Sequence, residues 1–221
     1  ALSYAVIKVL ATGNPYIKEK MDLDIQVQKL KLLKSSFLSE RYALEDKIIK
    51  YYPQRITALE NRIEGLKQDV ETAKQHPKPT DDRFVGMEVK GVFYSEKADA
   101  GKAIIEACKQ MNSPDPIPLG KYRGFETELL FNTAERNYEV RLKGATSRNV
   151  PLGDDAHGNI IRLDNGIERF AESLSLAEND LENTKNQLET AKKEVQKPFI
   201  QEEELKTKLA RLDELNILLN M

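Results

Sequence analysis

The chain contains no tryptophan, one cysteine, two histidines and no extended apolar run. Each of these scarcities narrows the classes of protein it can be. Cys108 has no second cysteine to bond, so an internal disulfide is excluded and a reducing, cytoplasmic setting is expected. No stretch approaches the ~18 to 20 apolar residues of a membrane-spanning helix, so no membrane partner is expected. The start, Ala-Leu-Ser, has neither an initiator methionine nor a secretion signal, which predicts a piece of a longer protein. Charge of one sign is lacking too. Thirty-four basic and thirty-six acidic residues leave −2, which gives no global attraction to nucleic acid or lipid.

What is present is charge and helical periodicity. Of 221 residues, 40% are apolar and 32% charged, the balance of a polar, helix-rich chain. From Asp22 to His76 the apolar residues follow a helical period, with Leu30, Leu33, Phe37, Leu44 and Ile48 on one stripe. Pro53 interrupts, because proline lacks an N–H and its ring clashes with the preceding turn, so a kink or a new helix is expected there. Ile56, Leu59, Ile63, Leu66, Val70 and Ala73 then alternate spacings of three and four, a coiled-coil seam. A second seam runs through Ile167, Phe170, Leu174, Ala177, Leu181, Thr184, Leu188, Ala191 and Val195. Pro198 ends it before a last helix carrying Leu205, Leu209, Leu212, Leu215 and Leu219. Such polar helices are marginal alone, so the two seams are expected to pack antiparallel as a stalk.

The intervening residues alternate at period two. Phe84–Lys90, Phe125–Phe131 and Tyr138–Lys143 read as three half-buried strands, with one short helix at Glu96–Met111. Asn112–Gly120, with three prolines, reads as a rigid loop, and Pro151–Asn159 as a turn-rich one before a short strand at Ile160–Ile161. The expected fold is α+β and predominantly helical: long antiparallel coiled-coil-like helices flanking a small antiparallel-sheet module with one short helix. The expected division is a junction at 1–21, a helical base and stalk at 22–76 and 163–221, and an inserted module at 77–162.

Motifs for catalysis are missing. Two Gly-Lys pairs, at Gly101 and Gly120, have Glu96 and Asp115 where a P-loop needs its first glycine, and Ala103 and Tyr122 where it needs Ser or Thr. Asp154, Asp155 and His157 make a weak metal set, more simply a polar turn that satisfies its own backbone. Cys108 falls on the apolar side of a helix and His76 at a helix end. No enzyme, cofactor or metal is expected from these residues.

Contact with DNA remains. Lys29 to Arg55 carry seven basic residues against three acidic: Lys29, Lys31, Lys34, Arg41, Lys47, Lys50 and Arg55. Tyr42, Tyr51 and Tyr52 lie among them and can stack on bases. Lys121, Tyr122 and Arg123 are expected on a mobile loop and Arg148 on another. The competing reading is internal: the basic helix pairs with the acidic C-terminal one, where Asp164 to Met221 have eight basic and thirteen acidic residues.

Five strings, "LATGNPYIKEKMDLD", "LKLLKSSFLSERYALED", "GMEVKGVFYSEKADAGKAI", "PIPLGKYRGFETEL" and "GNIIRLDNGIE" followed by a long helix ending in "EVQKPF", carry a resemblance that extends over essentially the whole chain. Together they resemble the C-terminal region of large proteins of conjugative elements and phages. Those proteins join an N6-adenine DNA methylase-like part to a SNF2-like DEAD/DEAH-box helicase. The resemblance implies a non-catalytic accessory domain of a DNA-handling protein, with its upstream helicase/methylase part and DNA as partners. Neither the ATPase motifs nor the methylase Asn/Asp-Pro-Pro-Tyr motif is present here. In this setting Thr12-Gly13-Asn14-Pro15 reads as a helix joint rather than a phosphate cradle: a short helix ends at Ala11, Gly13 or Asn14 takes the left-handed cap, and Pro15 starts the next helix. The alternative function is a structural interaction or oligomerisation module built on the stalk.

Overall fold

The computed structural model describes residues 13–81 and 83–219. The helix expected to end at Ala11 lies outside them. Gly13 has φ +61°, and Asn14 then caps helix α1 (Pro15–Asp46), its side-chain oxygen accepting from the Tyr16 N–H at 3.0 Å. Pro15 takes the first helical position, where its missing N–H has no helical partner to lose.

A π turn, Lys47–Tyr51, separates α1 from α2 (Tyr52–Gln75). The widened turn precedes Pro53 and accommodates the bond that proline cannot donate. The chain continues through strands β1 (Met87–Val89) and β2 (Val92–Tyr94), helix α3 (Lys97–Gln110), and strands β3 (Ile117–Tyr122), β4 (Phe125–Asn132), β5 (Asn137–Lys143) and β6 (Ser147–Pro151). Helices α4 (Ala156–Glu194) and α5 (Glu202–Leu218) complete it. The fold is therefore α+β and mostly helical. No helix among the described residues is long and apolar enough to cross a membrane.

Two compact units result, 1–53 with 186–221, and 54–185. In the first, α5 packs on α1 through Val27, Leu30, Leu205, Leu209 and Leu212. Glu19 with Arg211 (2.7 Å) and Lys34 with Glu202 (2.8 Å) mark opposite ends of an antiparallel pair. Leu33, expected on the buried stripe, is instead 42% exposed. Val27 and Leu30 carry that contact, and Leu33, six residues on from Val27, lies about 120° round the helix from it.

In the second unit the sheet order is β2-β1-β3-β4-β5-β6, antiparallel throughout. Six strands stand where four were expected, at Phe84–Lys90, Phe125–Phe131, Tyr138–Lys143 and Ile160–Ile161. β1, β4 and β5 fall on the first three; the extra strands are short (β2), begin inside the proline-rich segment (β3), or follow a tight return (β6). Two-residue hairpins, Lys90-Gly91 and Arg123-Gly124, have positive φ at both positions, the geometry that matches strand twist. Pro118 is tolerated in β3 because β1 pairs only with Gly120 and Lys121. Ile160 and Ile161, expected as a strand, belong to α4. Asp155 caps that helix through the Gly158 N–H at 2.8 Å, and Ile160, Leu163 and Ile167 bury at helical spacing.

One core joins the sheet to the helices: Ile63 and Leu66 of α2, Ile104 of α3, Phe125, Leu129, Val140 and Leu142 of the sheet, and Ile167 and Phe170 of α4. Phe125 and Phe170 stack at 5.1 Å. The seams run antiparallel: Arg55, near the start of α2, meets Asp180 at 2.5 Å, whereas Arg123 ties His76, just past the end of α2, to Asp164, earlier on α4.

Candidate nucleic-acid interface

Of the residues that the sequence offers to DNA, the structure commits Tyr122 and Arg123 to the interior. Tyr122 and Arg123 are not on a mobile loop: they are 2% and 6% exposed. The Tyr122 hydroxyl donates to Asp164 Oδ1 at 2.8 Å. Burial, the Asp164 charge and this hydrogen bond all push the phenol upward, so it stays protonated. Arg123 donates to Asp164 (2.9 Å), to Glu168 (2.8 Å) and, through Nε–H, to the His76 carbonyl at 2.9 Å. The tight Arg123-Gly124 hairpin turns the guanidinium back onto α4, where it joins the sheet to both long helices.

Four others are engaged by their own carboxylates. Lys34 pairs with Glu202 and Arg41 with Glu45 at 3.1 Å. Lys50 pairs with Asp46 and Lys121 with Glu126 at 2.9 Å, and each hydrogen bond raises the pKa of its lysine. Lys29, Lys31 and Lys47 are exposed with no carboxylate partner among the described residues. Near them Tyr42 and Tyr51 are exposed, and Tyr51 packs edge-on against Tyr52 at 5.3 Å.

Arg148 also departs from its expected loop: it lies in β6. Strand alternation sends Arg148 and Val150 toward the helices and Asn149 to the opposite face. There Asn149 meets Arg141 (3.1 Å) and Glu139 (2.9 Å). The half-buried Arg148 donates to the Arg169 carbonyl at 3.2 Å and contacts the Ser173 hydroxyl. Its guanidinium sits 5.5 Å from the Phe170 ring centroid, and its buried Nε has no partner.

Around Arg148 the structure gathers arginines that sequence reading passed over. Arg162 and Arg169 are seven residues apart on α4, hence on one face and about 10 Å apart along the axis. Between them Gly166 meets Val150, where a Cβ would come within 2.6 Å of the Val150 side chain. The glycine lets helix and strand approach and leaves a groove of about 360 Å³ lined by Arg148, Arg162, Asn165, Arg169, Val150 and Leu152, among others. Arg62 of α2 lies near enough to act on Arg148. Burial first, then Arg169 and Arg62, push the Arg148 pKa down, against one opposing carboxylate, Glu172. Other arginines are paired: Arg41, Arg55, Arg123, Arg141 and Arg211 each reach a carboxylate. Arg62, Arg148, Arg162 and Arg169 do not, among the described residues. The outer sheet face, by contrast, is neutralised cross-strand by Lys143 (2.7 Å) and Arg141 (3.4 Å) on Glu128.

Other polar clusters serve the fold. Asp69, 1% exposed, accepts from the Ala145 (2.7 Å) and Thr146 (2.8 Å) N–H groups and from the Thr146 hydroxyl. Asp155 is a cap. Cys108 is buried and its thiol is pushed up to about 11, so it is protonated rather than nucleophilic. Comparison with protein-family models, with curated proteins and with solved structures finds no match to this chain.

Proposed function

We propose that the chain is a non-catalytic accessory domain of a DNA helicase/methylase-like protein of a mobile element, and that it holds DNA through backbone phosphates. The observation that carries this reading is the groove of Arg148, Arg162 and Arg169, with Arg62 close to Arg148, cations none of which forms an ion pair among the described residues. Guanidinium groups bind phosphate oxygens bidentately, and such contacts position a protein without reading sequence. The resemblance supplies the DNA-handling parent. Lys29, Lys31 and Lys47 are secondary contacts in this reading, whereas Tyr122 and Arg123 have a structural role. The test is fluorescence anisotropy with labelled duplex DNA at low salt. The substitutions Arg62→Gln, Arg162→Gln and Arg169→Gln, all at exposed positions, are combined in one variant. Weakened binding with an unchanged circular dichroism spectrum supports the proposal, and unchanged binding refutes it.

A specific feature favours a second reading, self-association. Ile25 and Leu32 on α1 are 69% and 72% exposed and, with Leu33, line an open apolar depression. Sedimentation velocity of the chain and of Leu32→Lys tests it: a dimer that the lysine dissociates supports this reading, and a monomer in both ends it.

A further inference from the structure

The arginine groove has features that phosphate contact alone does not require. Its volume, about 360 Å³, falls at the small-ligand end of the range of about 300–1,000 Å³ for binding pockets. Val150, Leu152 and Gly166 give it an apolar floor, Arg148 lines it half-buried, and Arg162 and Arg169 are exposed at its rim. Arg162 is held in place: it packs on the backbone of Gly153, where a Cβ would lie within van der Waals distance of Nη1, and Nη1 reaches Asn159 Oδ1 at 3.4 Å. Asn165 presents an exposed carboxamide, donor and acceptor together, without a partner among the described residues. The adjoining strand is the sheet's edge. Leu152 N–H bonds the Tyr138 carbonyl and Gly144 N–H the Thr146 carbonyl, so by alternation Val150 and Arg148 point their backbone groups at β5. Asn149 then turns its N–H and C=O to the open side.

We propose that this groove seats one nucleotide of a single strand, base inward, a reading that rests on the DNA engagement proposed above. The base lies on the apolar floor and stacks on the Arg162 guanidinium, a plane that serves bases as an aromatic ring does. Asn165 and the Asn149 backbone meet its edge, and Arg148 and Arg169 take the flanking phosphates. A duplex cannot occupy the site this way, because its bases are paired inside and only its backbone reaches a surface recess.

The experiment measures anisotropy of a labelled short oligothymidylate, the same backbone without bases, and a duplex of equal length, at near-physiological salt. It compares the unaltered chain with Arg162→Lys, which retains the charge and removes the planar group. The expected result is binding of the oligothymidylate about tenfold tighter than of the abasic strand. Arg162→Lys should reduce that ratio to about one. Equal affinities for the oligothymidylate and the abasic strand would overturn the base site and leave phosphate engagement standing. A ratio that survives Arg162→Lys would overturn its assignment to this groove. Absence of binding to every probe would overturn the DNA reading itself, and this inference with it.

Discussion

Replacing Asp164 by alanine should be among the most damaging single changes in the 54–185 unit. The side chains of Arg123 and Asp164 are 2% and 5% exposed, so the guanidinium has left water almost completely. Without Asp164 it would retain the His76 carbonyl and Glu168, whose own side chain is 64% exposed and already well hydrated. Breaking a buried pair by removing one partner costs about 3–5 kcal/mol, because the remaining charge is stranded. The Tyr122 hydroxyl loses its acceptor as well, a cost of roughly 1–3 kcal/mol that overlaps with the first rather than adding to it. About 4 kcal/mol, at a slope of about 2 kcal/mol per molar urea, lowers the unfolding midpoint by roughly 2 M. The assay is urea unfolding followed by far-UV circular dichroism, with Glu168→Ala as the exposed control, which should cost under about 1 kcal/mol. The double change Arg123→Met with Asp164→Leu should recover most of the loss, since it removes both charges together. If Asp164→Ala and Glu168→Ala are equally mild, Arg123 is solvated and the role assigned to it is wrong.

Further expectations concern other anchors. Asp69→Ala should destabilise the β5–β6 return by about 2–3 kcal/mol, because two N–H groups and a hydroxyl lose their buried, charged acceptor; denaturant unfolding measures it. Gly101→Ala should destabilise by at least about 1–3 kcal/mol, since the new Cβ would run into the Ala156 backbone, and thermal unfolding would register the loss. Cys108, buried and raised to about 11, should react with a thiol reagent at pH about 8 far more slowly than the unfolded chain does. Glu19 is held below its ordinary value of 4.5 by the Arg211 hydrogen bond, so its contribution to the α1–α5 contact is present above that pH and fades as pH falls through the lowered value. Arg211→Gln should remove that acid dependence, read from the carboxyl chemical shift of Glu19.

Periodicity made the helices legible. The 3/4 seams named Leu59, Ile63, Leu66, Ile167, Phe170 and Ala177, all of which are buried, because a seam facing one neighbour leaves a regular trace. The α+β class followed from the change of period between them. Short strands left less: β2 has three residues, too few to display alternation, and β1 takes up only Met87–Val89 of the alternating stretch. Their signal was the turn. "EVKGVF" and "KYRGFE" each carry a glycine second in a two-residue loop between alternating residues, the pattern of a tight hairpin. Reading the second as a loop exposed Tyr122 and Arg123 to solvent, when the same geometry folds them inward. "GNIIRLDNGIE" misled at Ile160–Ile161, where two adjacent isoleucines outweighed the helical spacing to Leu163 and Ile167. The arginine groove was hidden for a different reason. Arg62, Arg148, Arg162 and Arg169 are spread along the chain, and the local charge count put Arg169 in an acidic segment. Only the close approach at Gly166 brings strand and helix together there, and no local pattern announces it.

The most direct test of the central claim, that cations left without carboxylates are phosphate contacts, is the salt dependence of duplex DNA affinity. The logarithm of the association constant should fall linearly with the logarithm of salt concentration, by about 0.9 per phosphate neutralised. Combined Arg62→Gln, Arg162→Gln and Arg169→Gln should flatten that slope by roughly 2 to 3, while glutamine at Glu-paired Lys34, Arg41 and Lys121 should leave it nearly unchanged. A slope that is the same in the arginine variant and in the unaltered chain would contradict the account.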